Sequence, residues 1–271
     1  DQITYNADPQ AAQDFSSQLV IKINPGVGSF GLGSDIPYDY STLGETWSSP
    51  RIFRIPNSGA GDDDIENDKY VAVMGGGYGS YNPGIGTSVF VIDLVDPISP
   101  GSVLQEIAID DLSESDIVNS IPNSPVVITA DTATGINFSG ALVYINDFEG
   151  KVTKINLTNM ENDGTEEENA IALYDTTTLF WTNSSSANGR YMYHSMDATI
   201  GATTNQLWLF GGTGNIARIN SNDDTVSNIM FGIRDENYPN YKEIKEPEII
   251  TERDLDLCNN TTNDIDGSLC P

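Results

Sequence analysis

The stretch DKYVAVMGGGYGSYNPGIGTSVFVIDL, residues 68–94, sets two apolar runs around a spread of glycines. A glycine-rich turn after a strand is where a phosphate-binding loop would be sought. Such a loop needs a helix N-terminus behind it and usually a lysine. Here Gly75, Gly76 and Gly77 lead instead into SVFVIDL (88–94), a β-branched and aromatic run that reads as a second strand. The stretch predicts a β-hairpin whose glycines serve the backbone, accepting the positive φ that other residues resist.

The pattern recurs. ALVYINDFEGKVTKINL (141–157) and LWLFGGTGNIARIN (207–220) also run from an apolar strand through a glycine turn into a strand ending in Ile-Asn. QLVIKI (18–23), RIFRI (51–55), VVIT (126–129) and NIMFGIRD (228–235) read as further strands. DDLSESDIVNSI (110–121) allows a helical turn, and MENDGTEEENA (160–170) reads as a solvated acidic loop. Helical periodicity is otherwise scarce. Three copied hairpins, spaced about one blade plus an insertion apart, predict radial repetition, which protects sheet edges. The expectation is an all-β, β-propeller-like (quinoprotein-like) single domain over 1–271, incomplete or truncated. Residues 1–40 would form a strand and loop region, 41–257 the blades and 258–271 a Cys-bounded loop.

The chain of 271 residues carries 40 Asp plus Glu against 12 Lys plus Arg, a net charge of -28. That balance repels nucleic acid and anionic lipid. No apolar run is long enough to cross a bilayer, so neither nucleic acid nor membrane insertion is expected. The charge suits a secreted protein that holds divalent cations, with solubility alone as the other reading. The start, DQITYNADPQ, shows no basic-then-apolar leader, so a mature product or a piece of a longer chain is expected. Cys258 and Cys270 bracket an Asn- and Asp-rich loop, which suggests a local disulfide and an oxidising compartment. A reduced pair without function is the alternative.

Two acidic segments are candidate calcium loops. In GDDDIENDKY (61–70), Asp62, Asp64, Glu66 and Asp68 alternate, so a looped backbone would turn several carboxylates inward. In DLDLCNNTTNDIDG (254–267), Asp264 and Asp266, with Asp254, Asp256 and Asn263, lie where a disulfide would pre-order them. A solvated turn is the alternative for both. His194 stands beside Ser195 and Asp197, but triad members converge in space and sequence adjacency is no evidence for them. His194 is expected to pack with Tyr191 and Tyr193 at a strand end. No catalytic or organic-cofactor residue is nominated. Tyr78, Tyr81, Tyr238 and Tyr241 are loop tyrosines, either contact anchors or covers for loop stems. Trp47, Trp181 and Trp208 are expected in the core or between blades.

The order of motifs resembles the C-terminal propeller of PilY-type, type IV pilus tip-associated proteins. LGETWSSPRIFRI (43–55) is similar to the family's LGxxWSxP segment and the strand after it. YVAVMGGGYG (70–79) and VFVIDL (89–94) follow in the family's order, then LVYINDFEGKVTKINL (142–157), LWLFGGTGNIARI (207–219), MFGIRD (230–235) and CNNTTNDIDGSLCP (258–271). The resemblance spans about residues 40–271.

It implies an extracellular, pilus-associated bacterial protein exported through the periplasm, acting by binding as an adhesin or pilus biogenesis factor. Implied partners are the pilus tip or minor pilin subunits and a host or abiotic surface, with calcium as a modulating ion. The family's calcium loop precedes its second hairpin. The matching DTATGINFS (131–139) keeps only Asp131 and an oxygen from Asn137, short of the roughly six to eight ligands calcium takes. That site reads as eroded. The family's propeller usually continues past the Cys loop, so a fragment, a processed product or a minimal form completed by another chain is expected. Two rivals remain: an enzyme on a propeller scaffold, quinone-dependent or glycoside-cleaving, and a structural filament subunit closed by a neighbouring chain.

Overall fold

The computed structural model describes residues 39–55, 69–79, 84–96, 100–109, 115–129, 141–157, 175–216, 226, 228–238 and 250–251. Among these there is no α-helix, and the strands form three sheets. The first joins β1 (Arg51–Ile55), β2 (Lys69–Gly75), β3 (Ser88–Asp93) and β4 (Val103–Ala108), in chain order. The second joins β5 (Val126–Thr129), β6 (Ala141–Asn146), β7 (Lys151–Asn156) and β8 (Asp175–Trp181) in the same way. The third holds β9 (Asp197–Ile200), β10 (Leu207–Gly212) and β11 (Met230–Asp235). Each is an antiparallel meander; β12 (Ile250–Thr251) adds to β8 in parallel. The architecture is all-β and propeller-like, and the described residues form three blade-like sheets without closing into a barrel.

Strands in the middle of this arrangement are buried on both faces, which is why β3, β6 and β7 show no exposed position. The alternation survives as a choice of neighbour. Val143 and Ile145 of β6 pack with Val71, Val73, Val89 and Val91 of the first sheet. Leu142 and Tyr144, the intervening residues, pack with Leu207, Leu209, Phe231 and Ile233 of the third. The second sheet is therefore the shared wall of two cores. Each fully buried aliphatic or aromatic side chain there contributes about 1.5–3 kcal/mol. The far face of the first sheet, Ala72, Met74, Phe90 and Ile92, is covered by Tyr40 and Leu43. Between the second and third sheets, Tyr144 Oη and Lys154 Nζ each donate to Asp235 Oδ2 at 2.6 Å.

Strands β1, β5 and β6 coincide with the apolar runs expected at 51–55, 126–129 and 141–146. The third hairpin differs from expectation. The partner of β10 is β11, not NIARIN, because β9 and β11 already occupy both hydrogen-bonding edges of residues 207–210. The first residues of NIARIN, Asn215 and Ile216, are not in a strand, and 217–220 lie outside the described residues. The helical turn expected in 110–121 is also absent from its described part, 115–121, where Ile121 bridges to Gly77 instead. The segments 18–23, 160–170 and 258–271 lie outside the described residues.

The glycine reading holds with a finer cause. No helix follows Gly75–Gly77 among the described residues. Gly76 donates to Ser88 O at 2.7 Å and Gly77 to Ile121 O at 2.8 Å, so the backbone itself is the contact surface. Gly77 has φ +94°, and a Cβ there would lie 2.8 Å from the Glu45 carbonyl. Gly77→Ala is expected to lower stability by about 1–3 kcal/mol through backbone strain and this clash. Urea unfolding monitored by circular dichroism measures it; an unchanged midpoint would mean that the approach of residues 45 and 77 is not obligatory.

Candidate functional site

Strand direction gathers one set of loops. The start of β1, the end of β2, the start of β3 and the end of β4 share one end of the first sheet. The corresponding ends of the second sheet are joined to it: Phe148 N donates to Ser120 O at 3.0 Å, and Gly77 N to Ile121 O. The connection from β8 to β9 closes the same end. Thr182 N donates to Gly150 O at 2.9 Å, and Asn123 Nδ2 and Asn146 Nδ2 donate to the carbonyls of Met192 and His194. Loops from all three sheets thus form one face.

At its centre is an aromatic cluster built from four separate segments. Phe148, in the turn between β6 and β7, is 3% exposed. Tyr193 lies 4.3 Å from it, Tyr78 5.7 Å and Tyr191 5.9 Å, the last edge-on. Offset and edge-to-face pairs of this kind add about 0.5–1.5 kcal/mol each beyond area burial. Trp47 extends the cluster outward, its ring parallel to Tyr193 within 3° at 6.5 Å.

The motif LGETWSSP explains why Trp47 faces out. Thr46 Oγ1 donates to Gly75 O at 3.2 Å, and Ser48 Oγ accepts from Gly75 N at 3.1 Å. With Thr46 and Ser48 turned toward Gly75, the alternate residues Glu45, Trp47 and Ser49 are left in solvent. Trp47 is 52% exposed on the loop face, where a place in the core or between blades was expected. Trp181 and Trp208 are half-buried, and Trp181 Nε1 donates to Glu149 O at 3.0 Å.

Beneath the aromatic cluster lies a buried ionic turn. Gly150, at φ +73°, donates to Asp147 O and reverses the chain. Lys151 Nζ, 1% exposed, meets Glu149 Oε2 at 2.8 Å and Asp147 Oδ2 at 3.3 Å. Asn119 Nδ2 donates to Asp147 Oδ2 at 3.1 Å, and Lys151 N to Asp147 Oδ1 at 3.0 Å. Burial pushes Asp147 up to about 6, against the opposing pull of Lys151. Burial acts to lower Lys151, but Asp147 and Glu149 outweigh it and hold the ammonium above its ordinary value.

The linkage has a definite sign. Because folded Asp147 titrates above its ordinary value, the native state keeps a proton that the unfolded chain releases. Its contribution favours folding at about pH 4 and is lost as pH rises to about 6. The stability of the parent chain relative to Asp147→Asn should therefore fall over that window by on the order of 1–3 kcal/mol and then level off. Urea titrations of both proteins across pH measure it. A difference that rises with pH would show that the ion pair, not burial, governs Asp147.

His194 does not join the tyrosine cluster; its side chain is exposed, and Phe148 is the residue that packs Tyr191 and Tyr193. Ser195 Oγ accepts from Ser124 N at 2.9 Å and Asp197 Oδ1 from Ala198 N at 2.9 Å. The calcium candidates Asp62, Asp64, Glu66, Asp68, Asp131, Asn137, Asp264 and Asp266 lie outside the described residues, as do Cys258 and Cys270. Among the described residues no group of three or more His, Cys, Asp or Glu is placed to hold a metal ion. Sequence reasoning missed Phe148, Asn119, Lys151, Lys154 and Asp235. The signal was present for one set: the D-x-E-x-K spacing of Asp147, Glu149 and Lys151 puts two carboxylates within a turn of a lysine that begins a buried strand.

These features define a propeller-like all-β fold with an aromatic loop face. Its fold is similar to that of the Pseudomonas aeruginosa PilY1 C-terminal domain, known from a crystal structure, with a TM-score of 0.50 and 16% identity. The match covers 76% of this chain and 41% of that one, so the chain spans under half the length of its structural neighbour. At that identity the likeness is one of fold. No protein-family model matches the sequence, and no curated protein matches it. Among the described residues no helix is long and apolar enough to cross a membrane.

Proposed function

We propose that this chain is an extracellular bacterial protein associated with type IV pili, acting by binding as an adhesin or pilus biogenesis factor. The observation that carries the reading is the convergence of loops from all three sheets on one rigid aromatic face. The fold likeness to the PilY1 C-terminal domain and the shared order of short motifs support it. The pilus tip or its minor subunits, or a host or abiotic surface, would meet that face. Shearing pili from the source bacterium tests the proposal. The protein should co-sediment with the filaments, and its deletion should reduce piliation or attachment. A protein that stays with the cells or the soluble fraction, with attachment unchanged after deletion, would contradict it.

Calcium belongs to the same proposal, held by carboxylates of the segment Asp62–Asp68 or of Asp264–Asp266. Calorimetric titration should give saturable heat that is lost in Asp64→Asn with Glu66→Gln or in Asp264→Asn with Asp266→Asn. No heat would remove the metal from the proposal.

One observation favours a second reading, a subunit closed by a neighbouring chain. The face of the third sheet turned away from the second carries Trp208 stacked on Phe210, with Phe210 40% and Met230 89% exposed. In a propeller this face meets the next blade.

A further inference from the structure

We propose that Glu45, Trp47 and Tyr193 form a site for a cationic side chain, an arginine presented by a partner protein. The assignment rests on the binding reading of the loop face and names the chemistry of what that face takes. Three observations carry it.

The first is a flat aromatic step held open to solvent. Trp47 is half exposed and its ring runs parallel to Tyr193. Neither ring is free to collapse inward. Tyr193 rests on buried Phe148, and the backbone around Trp47 is pinned through Thr46 and Ser48 to Gly75. A ligand therefore meets a surface already in its bound shape, which reduces the entropy lost on binding.

The second is a carboxylate on the same side of the same segment. Glu45 and Trp47 alternate with the inward-turned Thr46 and Ser48, so both point to solvent. The Glu45 backbone is fixed by reciprocal hydrogen bonds with Tyr78, of 2.9 and 2.7 Å. An aromatic face beside a carboxylate suits a guanidinium, which stacks on the ring and pairs with the acid in one geometry. A lysine ammonium would satisfy the charge without the stacking.

The third is the field of the whole chain. With a net charge of -28, and with Lys69, Lys151, Lys154 and Arg234 each held in ion pairs, the protein attracts cations and repels anionic partners. A proline-rich strand would stack on the rings without using Glu45, and a neutral sugar would stack and donate hydroxyls to Glu45, but neither is drawn by this field.

The test uses a peptide with one charge, so that general attraction to an acidic protein stays small. Acetyl-Gly-Ser-Arg-Ser-Gly-amide is titrated with the protein in salt at about 0.15 M, where charges beyond roughly 8 Å are screened. Its arginine methylene protons are followed by NMR; rings of Trp47 and Tyr193 should shift them upfield. Replacing arginine by citrulline, which keeps the shape and removes the charge, should weaken binding by about tenfold. Glu45→Gln should weaken it by roughly threefold. Glu236→Gln removes the same charge elsewhere and should leave it unchanged. Trp47→Ala should abolish the upfield shift while the far-ultraviolet circular dichroism spectrum stays that of the folded parent, since no strand depends on the ring.

Equal binding of the citrulline peptide, or equal loss in both glutamine variants, would overturn the assignment. So would no saturable upfield shift. Binding of methyl glucoside with the citrulline peptide equally active would replace it with a sugar site. If arginine binding holds while the protein fails to co-sediment with pili, only the pilus reading falls. Pilus association without arginine binding removes only this site.

Discussion

Replacing Asp235 by leucine should lower stability by about 3–5 kcal/mol, the range expected when one partner of a buried ion pair is removed. Asp235 ends β11 and accepts from Tyr144 Oη of β6 and Lys154 Nζ of β7 through one oxygen. Both side chains of the Lys154–Asp235 pair are 1% exposed, so solvent cannot replace what is lost. The ammonium would be left buried beside the Tyr144 hydroxyl, and the polar tie between the third sheet and the second would be lost, leaving only their apolar contact. The double variant Lys154→Met with Asp235→Leu separates the cause. Removing both charges should recover most of the loss, to within about 2 kcal/mol of the parent, because two apolar chains bear no desolvation cost there. Urea unfolding of the three proteins reads both values. A single variant within about 1 kcal/mol of the parent would show that Lys154 reaches water, and the contact between second and third sheets would need redrawing.

Phe148→Ala should cost about 3–5 kcal/mol, the range for deleting a buried phenylalanine. The position is unusual in being buried within a turn. Phe148 fills the space under Tyr78, Tyr191 and Tyr193, residues from two other loops, so its loss removes the common support of the aromatic face. The prediction has a structural part as well. The near-ultraviolet circular dichroism of the tyrosines and Trp47 should collapse at temperatures where the far-ultraviolet strand signal persists. Phe148→Leu, which keeps an apolar side chain in the turn, should recover part of the stability but little of the aromatic signal. Equal loss of both signals would mean that the loop face and the sheets unfold as one unit.

Much of the fold was legible where burial on both faces demands continuous apolar runs. ALVYIN marks β6 in this way, while RIFRI and VVIT mark the partly exposed β1 and β5 by their β-branched and aromatic residues. The strands that escaped notice have other chemistry. In DTTTLFW, β8, the threonines pair along β7 opposite Thr153, Lys154 and Ile155, so packing comes from neighbours and not from an apolar period. VLQEIA, β4, is an edge strand, half exposed, and its Glu106 accepts from Thr42 and Ser88. DATI, β9, is too short and too exposed to carry a pattern. NIARIN looked like a strand and lost its place to MFGIRD, a competition between segments that no local pattern decides.

The site was less legible, for a related reason. Trp47 reads as core by its size, and only the hydrogen bonds of Thr46 and Ser48 to Gly75 reveal that it is turned outward. Tyr191 and Tyr193 were expected to have a neighbour, and the neighbour is Phe148, 43 to 45 positions away in the chain, in place of adjacent His194. Contacts of that separation are a property of the assembled sheets.

Three meanders stacked in chain order, with their loop ends joined, are what everything here depends on. A nuclear Overhauser spectrum of the labelled chain tests it most directly. Ring cross-peaks between Phe180 and Phe231, 4.5 Å apart, should join the second sheet to the third. Amide cross-peaks across the Gly77–Ile121 bridge should fix the turn after β2 against the segment that leads into β5. A spectrum with strand contacts inside each meander but none of these links between them, or with helical contacts after Gly77, would contradict the stacked arrangement and the loop face with it.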